Sequence, residues 1–192
     1  DSYKGLSKES WMLSVVMLIN RSGAMVLPFL GIYMNTELGF SLKEVGIVLS
    51  LYGVGSLIGT WLGGTLSDKI GSFKVQLFSL LATAPMFAIM PFFHSFHEFA
   101  AIILITSIVN ELLRPANSVA VTKFAKPENL TRAFSLNRMA MNLGFAIGPT
   151  MGGILSTISY DLLFYLNSFG SLFAAIMFYN FFKNRKEQTV VI

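Results

Sequence analysis

Arg21, Glu111 and Arg114 each interrupt an apolar run long enough to cross a bilayer. A charge near the bilayer centre costs on the order of 3 kcal/mol on insertion scales, so such residues face a cavity and a partner. Glu111 and Arg114 stand three apart and share a helix face. Burial favours a protonated carboxyl and a neighbouring arginine favours the carboxylate. A carboxyl held between those pulls is a candidate proton carrier: protonation frees the arginine for a substrate, and bound substrate expels the proton. A static ion pair is the alternative reading. Two arginines against one carboxylate leave a surplus positive charge, so either the substrate is anionic or another part of the protein supplies an acid.

Other polar positions are weaker candidates. Asn20, Asn110, Asn117 and Asn142 fall within or beside the same apolar runs and either line that cavity or bond one helix to another. Arg138 reads as a gate or interface residue. His94 and His97 stand beside Glu98 in a short connection, where solvated histidines are the plain reading, so no metal is expected. The sequence holds no phosphate-binding glycine loop with its lysine and no Ser/His/Asp grouping, which argues against an enzyme. Its basic residues follow no nucleic-acid-binding motif. No cofactor is expected beyond the proton as coupling ion.

These residues need helices in lipid to position them. Of the 192 residues, 54% are hydrophobic and 12% charged, against about 25% charged in soluble domains. Six segments match the roughly 20 helical residues that span a hydrocarbon core: 11–34, 45–66, 75–93, 99–122, 139–160 and 162–182. Residues 1–10 read as an N-terminal segment and 183–192 as the start of a linker. Lys4, Lys8, Lys69, Lys74, Lys123, Lys126, Arg132, Lys183, Arg185 and Lys186 fall on one side of such a bundle, and Lys43 alone on the other. That asymmetry places both termini in the cytoplasm. The protein is expected in a plasma membrane or bacterial inner membrane.

A repeat organises the six segments. Arg21 and Arg114 each stand in the first helix of a three-helix group. Ser41-Leu42 and Ser135-Leu136 precede the two middle helices, which carry Gly53, Gly55, Gly59, Gly63 and Gly64 in one case and Gly144, Gly148, Gly152 and Gly153 in the other. Groups of three helices must be inverted relative to each other, a pattern found in transporter halves.

The connection after the second segment reads Gly63-Gly64-Thr65-Leu66-Ser67-Asp68-Lys69-Ile70-Gly71-Ser72-Phe73-Lys74, and the fifth contains Gly144-Phe145-Ala146-Ile147-Gly148-Pro149-Thr150-Met151-Gly152-Gly153. The first resembles the loop signature G-x-L-x-D-x-x-G of the major facilitator superfamily. The second resembles the G-x-x-x-G-P-x-x-G-G pattern of its drug–proton antiporter branch. Arg114-Pro115-Ala116-Asn117-Ser118 is similar to the family's buried arginine segment. Ser72 and Phe73 depart from the loop signature, where basic residues are common, and Lys123 stands where relatives often have an acid. The spacing from Asp68 to Gly71 lacks the extra residue of the peptide-transporter branch.

The resemblance implies an all-α membrane protein, the N-terminal six-helix half of the major facilitator fold, built as two inverted three-helix repeats. It implies proton-coupled efflux of small amphipathic molecules by alternating access. A proton-coupled importer of a small, possibly anionic solute is one rival, and a non-transporting membrane scaffold or receptor another. Gly64, Asp68, Lys69, Gly71, Lys74 and Arg138 would form the cytoplasmic gate; the plain alternative for Asp68 is an ordinary cap at the start of the third helix. Gly144, Gly148, Pro149, Gly152 and Gly153 would either seal the contact between halves or pack within one half. The expected partners are a small-molecule substrate, protons, lipid and a second six-helix half, supplied by the same polypeptide, a separate chain or a second copy.

Overall fold

A computed structural model describes residues 5–185; the expectations for Lys4, Lys186 and most of the linker lie outside the described residues. The described chain is helical, with no strand among the described residues. Helix α1 (Lys8–Ser22) passes through a 3-10 turn at Gly23–Met25 into α2 (Val26–Thr36), so the first crossing is one interrupted rod. Next come α3 (Leu42–Ile70) and α4 (Ser72–Ile89), the latter extended by a 3-10 turn at Met90–Phe92. The fourth crossing is also interrupted: α5 (Phe96–Glu111) and α6 (Leu113–Phe124) meet at Leu112. Then α7 (Leu130–Ser156) and α8 (Asp161–Phe182) complete the bundle.

Short polar residues set the helix starts. Ser41 and Glu44 form a reciprocal capping box at α3: the Glu44 N–H donates to Ser41 Oγ at 3.3 Å, and the Ser41 N–H donates to Glu44 Oε2 at 2.8 Å. Ser95 accepts from the Glu98 N–H at the start of α5, and Ser7 from the Ser10 N–H at the start of α1. Gly71 alone joins α3 to α4, at φ 92° and ψ 144°. That left-handed backbone suits glycine because it has no Cβ. Asp68 therefore lies in the last turn of α3, exposed, and does not cap the next helix; no side chain caps α4.

Among the described residues, five rods are long and apolar enough to cross a membrane: 8–36, 42–70, 72–92, 96–124 and 161–182. Helix α7 is as long but more polar, since it carries Arg132, Asn137, Arg138 and Asn142. It begins at Leu130 rather than near residue 139 because its polar first turns continue the helix. Hydropathy alone reads those turns as a connection.

Packing joins the two three-helix groups. Helix α1 packs along α7, α3 along α5, and α4 along α8. The middle helix of each group thus lies against the first helix of the other. Glycines permit both close approaches. Gly55, Gly59 and Gly63 of α3 face Ser107, Ile108 and Leu112 in that order, and Gly144, Gly148 and Gly152 of α7 face Leu18 to Phe29 in rising order, so both pairs run parallel. By contrast α1 and the fourth crossing are antiparallel. Ser7 bonds Phe124, Leu13 bonds Asn117, Asn20 bonds Asn110 and Arg21 bonds Glu111. Two large apolar clusters fill most of the remaining interior, one around Leu30, Met34, Val48, Phe99 and Phe164, the other around Leu13, Met17, Leu113, Val121 and Phe178, with a small third at Val75, Leu112 and Ala116. Leu57 and Trp61 on α3 point outward, 74% and 69% exposed, as residues of a face that meets lipid or another membrane element.

A methyl group at Gly59 would sit 3.0 Å from the Ile108 backbone carbonyl carbon, and closer still to its oxygen, whereas one at Gly64 would meet nothing within 4 Å. Gly59→Ala is expected to cost about 1–3 kcal/mol. Gly64→Ala should be neutral or slightly stabilising, since alanine is the better helix former. Thermal denaturation of the two variants in detergent checks the difference.

Candidate functional site

Both interrupted crossings break beside a buried charge: α1 ends one residue after Arg21, and α5 ends at Glu111. Broken helices at mid-membrane free backbone groups and create room for a binding site. Here the room is a cavity of about 390 Å³, lined by Arg21, Glu111 and Arg114 with Asn20, Asn110 and Asn142. Val26, Leu27, Leu30, Phe87, Met90, Ile103, Met141 and Phe145 supply its apolar wall.

Arg21 and Glu111 are 7% and 5% exposed and paired through both ends of the carboxylate. Arg21 Nη1 donates to Oε1 at 3.0 Å and Nη2 to Oε2 at 3.4 Å. A two-point guanidinium–carboxylate pair fixes orientation as well as charge. Arg21 Nε has no hydrogen-bond partner among the described residues, and the guanidinium lies 5.4 Å from the Phe145 ring centroid. Arg114 is held more loosely. Its Nε lies 3.8 Å from Glu111 Oε2, Nη2 donates to Thr60 at 3.3 Å, and its side chain is half exposed. One carboxylate thus faces two guanidiniums, and Glu111 is the only carboxylate lining the cavity among the described residues.

The amides divide. Asn20 Nδ2 donates to Asn110 Oδ1 at 3.1 Å, tying α1 to α5 one residue from the ion pair, and Asn142 is exposed to the cavity. Asn117 does not line the cavity: it is fully buried in the core, where its Nδ2 lies 3.2 Å from the Leu13 carbonyl oxygen and 3.3 Å from Gln76 Oε1. The expected cavity role gives way to helix-to-helix bonding because Asn117 faces α1 and α4. Arg138 is exposed on α7, about a turn before Asn142, and outside the cavity lining.

Gly64, Asp68, Lys69, Gly71 and Lys74 cluster where α3 meets α4, at the far end of the bundle from Glu37 and Asp161. Of the two roles open to the α7 glycines, the packing role is the one the geometry displays. A methyl at Gly144 would lie 2.7 Å from Arg21 Cβ, at Gly148 2.7 Å from the Ser22 carbonyl oxygen, and at Gly152 2.7 Å from the Phe29 ring. Pro149 sits within α7 without ending it, and Gly153 also lies beside Phe29. His94 Nδ1 lies 3.1 Å from the Phe92 carbonyl oxygen, and His97 packs on Phe96. Tyr52, Ser56, Thr106 and Asn167 also line the cavity, although the sequence did not single them out. Asn167, one of two amides in the apolar helix α8 with Asn180, carried the same signal as the other helix amides.

Removing one member of a buried pair strands the other charge, and such losses run to about 3 kcal/mol or more. Arg21→Met is therefore expected to destabilise the protein by roughly that amount, and Arg21→Met/Glu111→Leu to recover most of the loss. Unfolding in mixed micelles measures both.

The geometry can be set beside known proteins. The sequence profile of the Major Facilitator Superfamily matches residues 11–191. The MFS-type transporter YttB of Bacillus subtilis is 32% identical over 179 residues, which cover 93% of this chain and 44% of that protein. The multidrug resistance protein MdtG of Proteus mirabilis is 27% identical over 169 residues (85% and 40%), and the quinolone resistance protein NorA of Staphylococcus aureus 24% over 166 (84% and 42%). The chain spans less than half the length of these curated relatives. A crystal structure of the peptide transporter POT in complex with sulfate superposes with a TM-score of 0.78 at 21% identity, over 90% of this chain and 37% of that one. That likeness is one of fold alone. With a profile match along nearly its whole length and the helices arranged as half of that fold, the chain belongs to the Major Facilitator Superfamily.

Proposed function

We propose that this chain is the N-terminal half of a proton-coupled transporter that exports small amphipathic molecules, with Glu111 as the proton-carrying group and both termini in the cytoplasm. The observation that carries the reading is the Arg21–Glu111 pair, which joins the two interrupted crossings at their breaks. Protonating Glu111 removes the charge that holds Arg21, so it weakens the link between the α1–α2 rod and the α5–α6 rod. Proton binding is thereby coupled to the relative position of those rods, as alternating access requires. A second six-helix half closes the cavity. The gate residues Asp68, Lys69, Lys74 and Arg138 lie exposed, free to meet that half on the cytoplasmic side. Export and an amphipathic substrate are supported by the apolar wall of the cavity and by relatives named for multidrug and quinolone resistance.

The surplus guanidinium of Arg114 favours a second reading, import of an anionic solute together with a proton. Linkage separates the two. An anion bound at Arg114 stabilises the neutral form of Glu111 and draws a proton in, whereas an exported substrate that competes with the proton drives one out.

The test follows proton exchange by purified full-length transporter in detergent as a quinolone is added, comparing wild type with Glu111→Gln. Release in the wild type, reduced at least tenfold in the variant, is the expected result. Uptake instead of release selects the import reading. Release that is equal in both makes Glu111 a structural partner of Arg21 and ends the proton-carrier assignment.

A further inference from the structure

Beyond the charged trio, the cavity wall carries two neutral polar side chains without a hydrogen bond among the described residues. Asn167 of α8 is 7% exposed and lines the cavity, and its side chain makes no hydrogen bond among the described residues. Thr106 of α5 is 2% exposed, lines the same cavity, and its Oγ1 has no partner among the described residues. A buried amide or hydroxyl left unpaired costs about 1–3 kcal/mol. Threonine in a helix commonly satisfies its hydroxyl on the preceding turn, as Thr150 does on the Ala146 carbonyl. Thr106 does not.

The two groups lie on one side of the ion pair. Thr106 precedes Glu111 by five residues on α5, about 7 Å along the helix axis. Asn167 packs on Gly23, two residues beyond Arg21: a methyl at Gly23 would lie 2.9 Å from Asn167 Cγ and closer still to Oδ1. Since α1 runs antiparallel to α5, positions after Arg21 and positions before Glu111 share the half of the cavity toward Tyr33 and Asp161. Gly23 is the first residue of the 3-10 turn, so its missing side chain is what seats the Asn167 carboxamide at the break. Val26, Leu30, Met90 and Ile103 surround this part of the cavity with apolar surface, where an unmet hydrogen bond is felt most.

We infer that Asn167 and Thr106 form a neutral subsite that selects substrates carrying an uncharged hydrogen-bond donor, such as a primary or secondary amide, a sulfonamide or a hydroxyl, set apart from the group that engages Arg21, Glu111 and Arg114. This deepens the transporter reading and rests on it for the identity of the cavity as the substrate site. Sites built to bond a polar group reject analogues that lack it, because their own buried groups are then left unpaired.

The experiment titrates full-length transporter in detergent with two environment-sensitive fluorophores of nearly the same shape, dansylamide and its N,N-dimethyl analogue, which lacks the N–H donors. Wild type is expected to bind dansylamide about tenfold more tightly. Thr106→Val, close in shape to the native residue, and Asn167→Leu should each erase most of that preference while changing the dimethyl probe less than twofold. Gly23→Ala, which displaces the carboxamide, should resemble Asn167→Leu. Wild type that fails to distinguish the probes, including by binding neither, overturns the subsite, as does Thr106→Val or a folded Asn167→Leu that keeps the full preference. If Asn167→Leu does not fold, Thr106→Val alone decides. Proton release is unaffected by this comparison, so loss of the subsite and loss of the Glu111 assignment are read in separate measurements.

Discussion

Two opposite charges that must not face hydrocarbon alone set the geometry of this bundle. Arg21 and Glu111 are buried with their charged ends together, and separating α1 from α5 at that level strands Arg21 and leaves Glu111 only its longer contact to Arg114. The antiparallel crossing follows, with Asn20 and Asn110 bonded beside it. Both crossings break within a residue or two of the pair, which turns a packed contact into a walled space. The glycines complete the arrangement from behind. Gly144 lets α7 approach to the Cβ of Arg21, and Gly59 lets α3 approach the Ile108 backbone beside Glu111. Pair, breaks and glycine faces are parts of one solution to the problem of holding charge in lipid.

Much of this was legible in the residues, because lipid enforces a simple rule. Apolar runs marked six segments, and among the described residues five of the rods are long and apolar enough to cross a membrane. Arg21, Glu111 and Arg114 stood out as charges where charge is costly, and they meet in one cavity. What hydropathy could not supply was direction. Asn117 and Asn110 look alike in sequence, yet one faces α1 and α4 and the other the cavity. The spacing of Gly144, Gly148 and Gly152 predicted a close-packed face but not its neighbour, and within this half the neighbour is α1 with its 3-10 turn. The early turns of α7 read as a loop because Arg132 and Asn137 dilute the apolar signal. Asp68 was placed one helix too far along because a single residue, Gly71, makes the turn that usually takes several.

In the proposed function the cavity combines two kinds of recognition, by charge and by neutral hydrogen bonding. The charged trio acts over distance and is sensitive to protonation and to salt. The amide and hydroxyl groups act only in contact and discriminate by geometry. In the proposed function, setting the neutral pair to one side of the charged trio would let a transporter accept varied apolar bodies while still reading both ends of a molecule.

The interlocked pairing of helices also bears on how the protein is made. Each principal helix pair, α1 with α7, α3 with α5 and α4 with α8, joins a member of the first group to a member of the second. A ribosome delivers the first group to the membrane before any of those neighbours exists. Arg21 then waits in or near the bilayer until Glu111 has been inserted, and the glycine face of α3 stays open until α5 arrives. The first three crossings are thus an unfinished object during synthesis. Whatever holds them at the insertion site must shelter a lone guanidinium until its counter-charge is delivered.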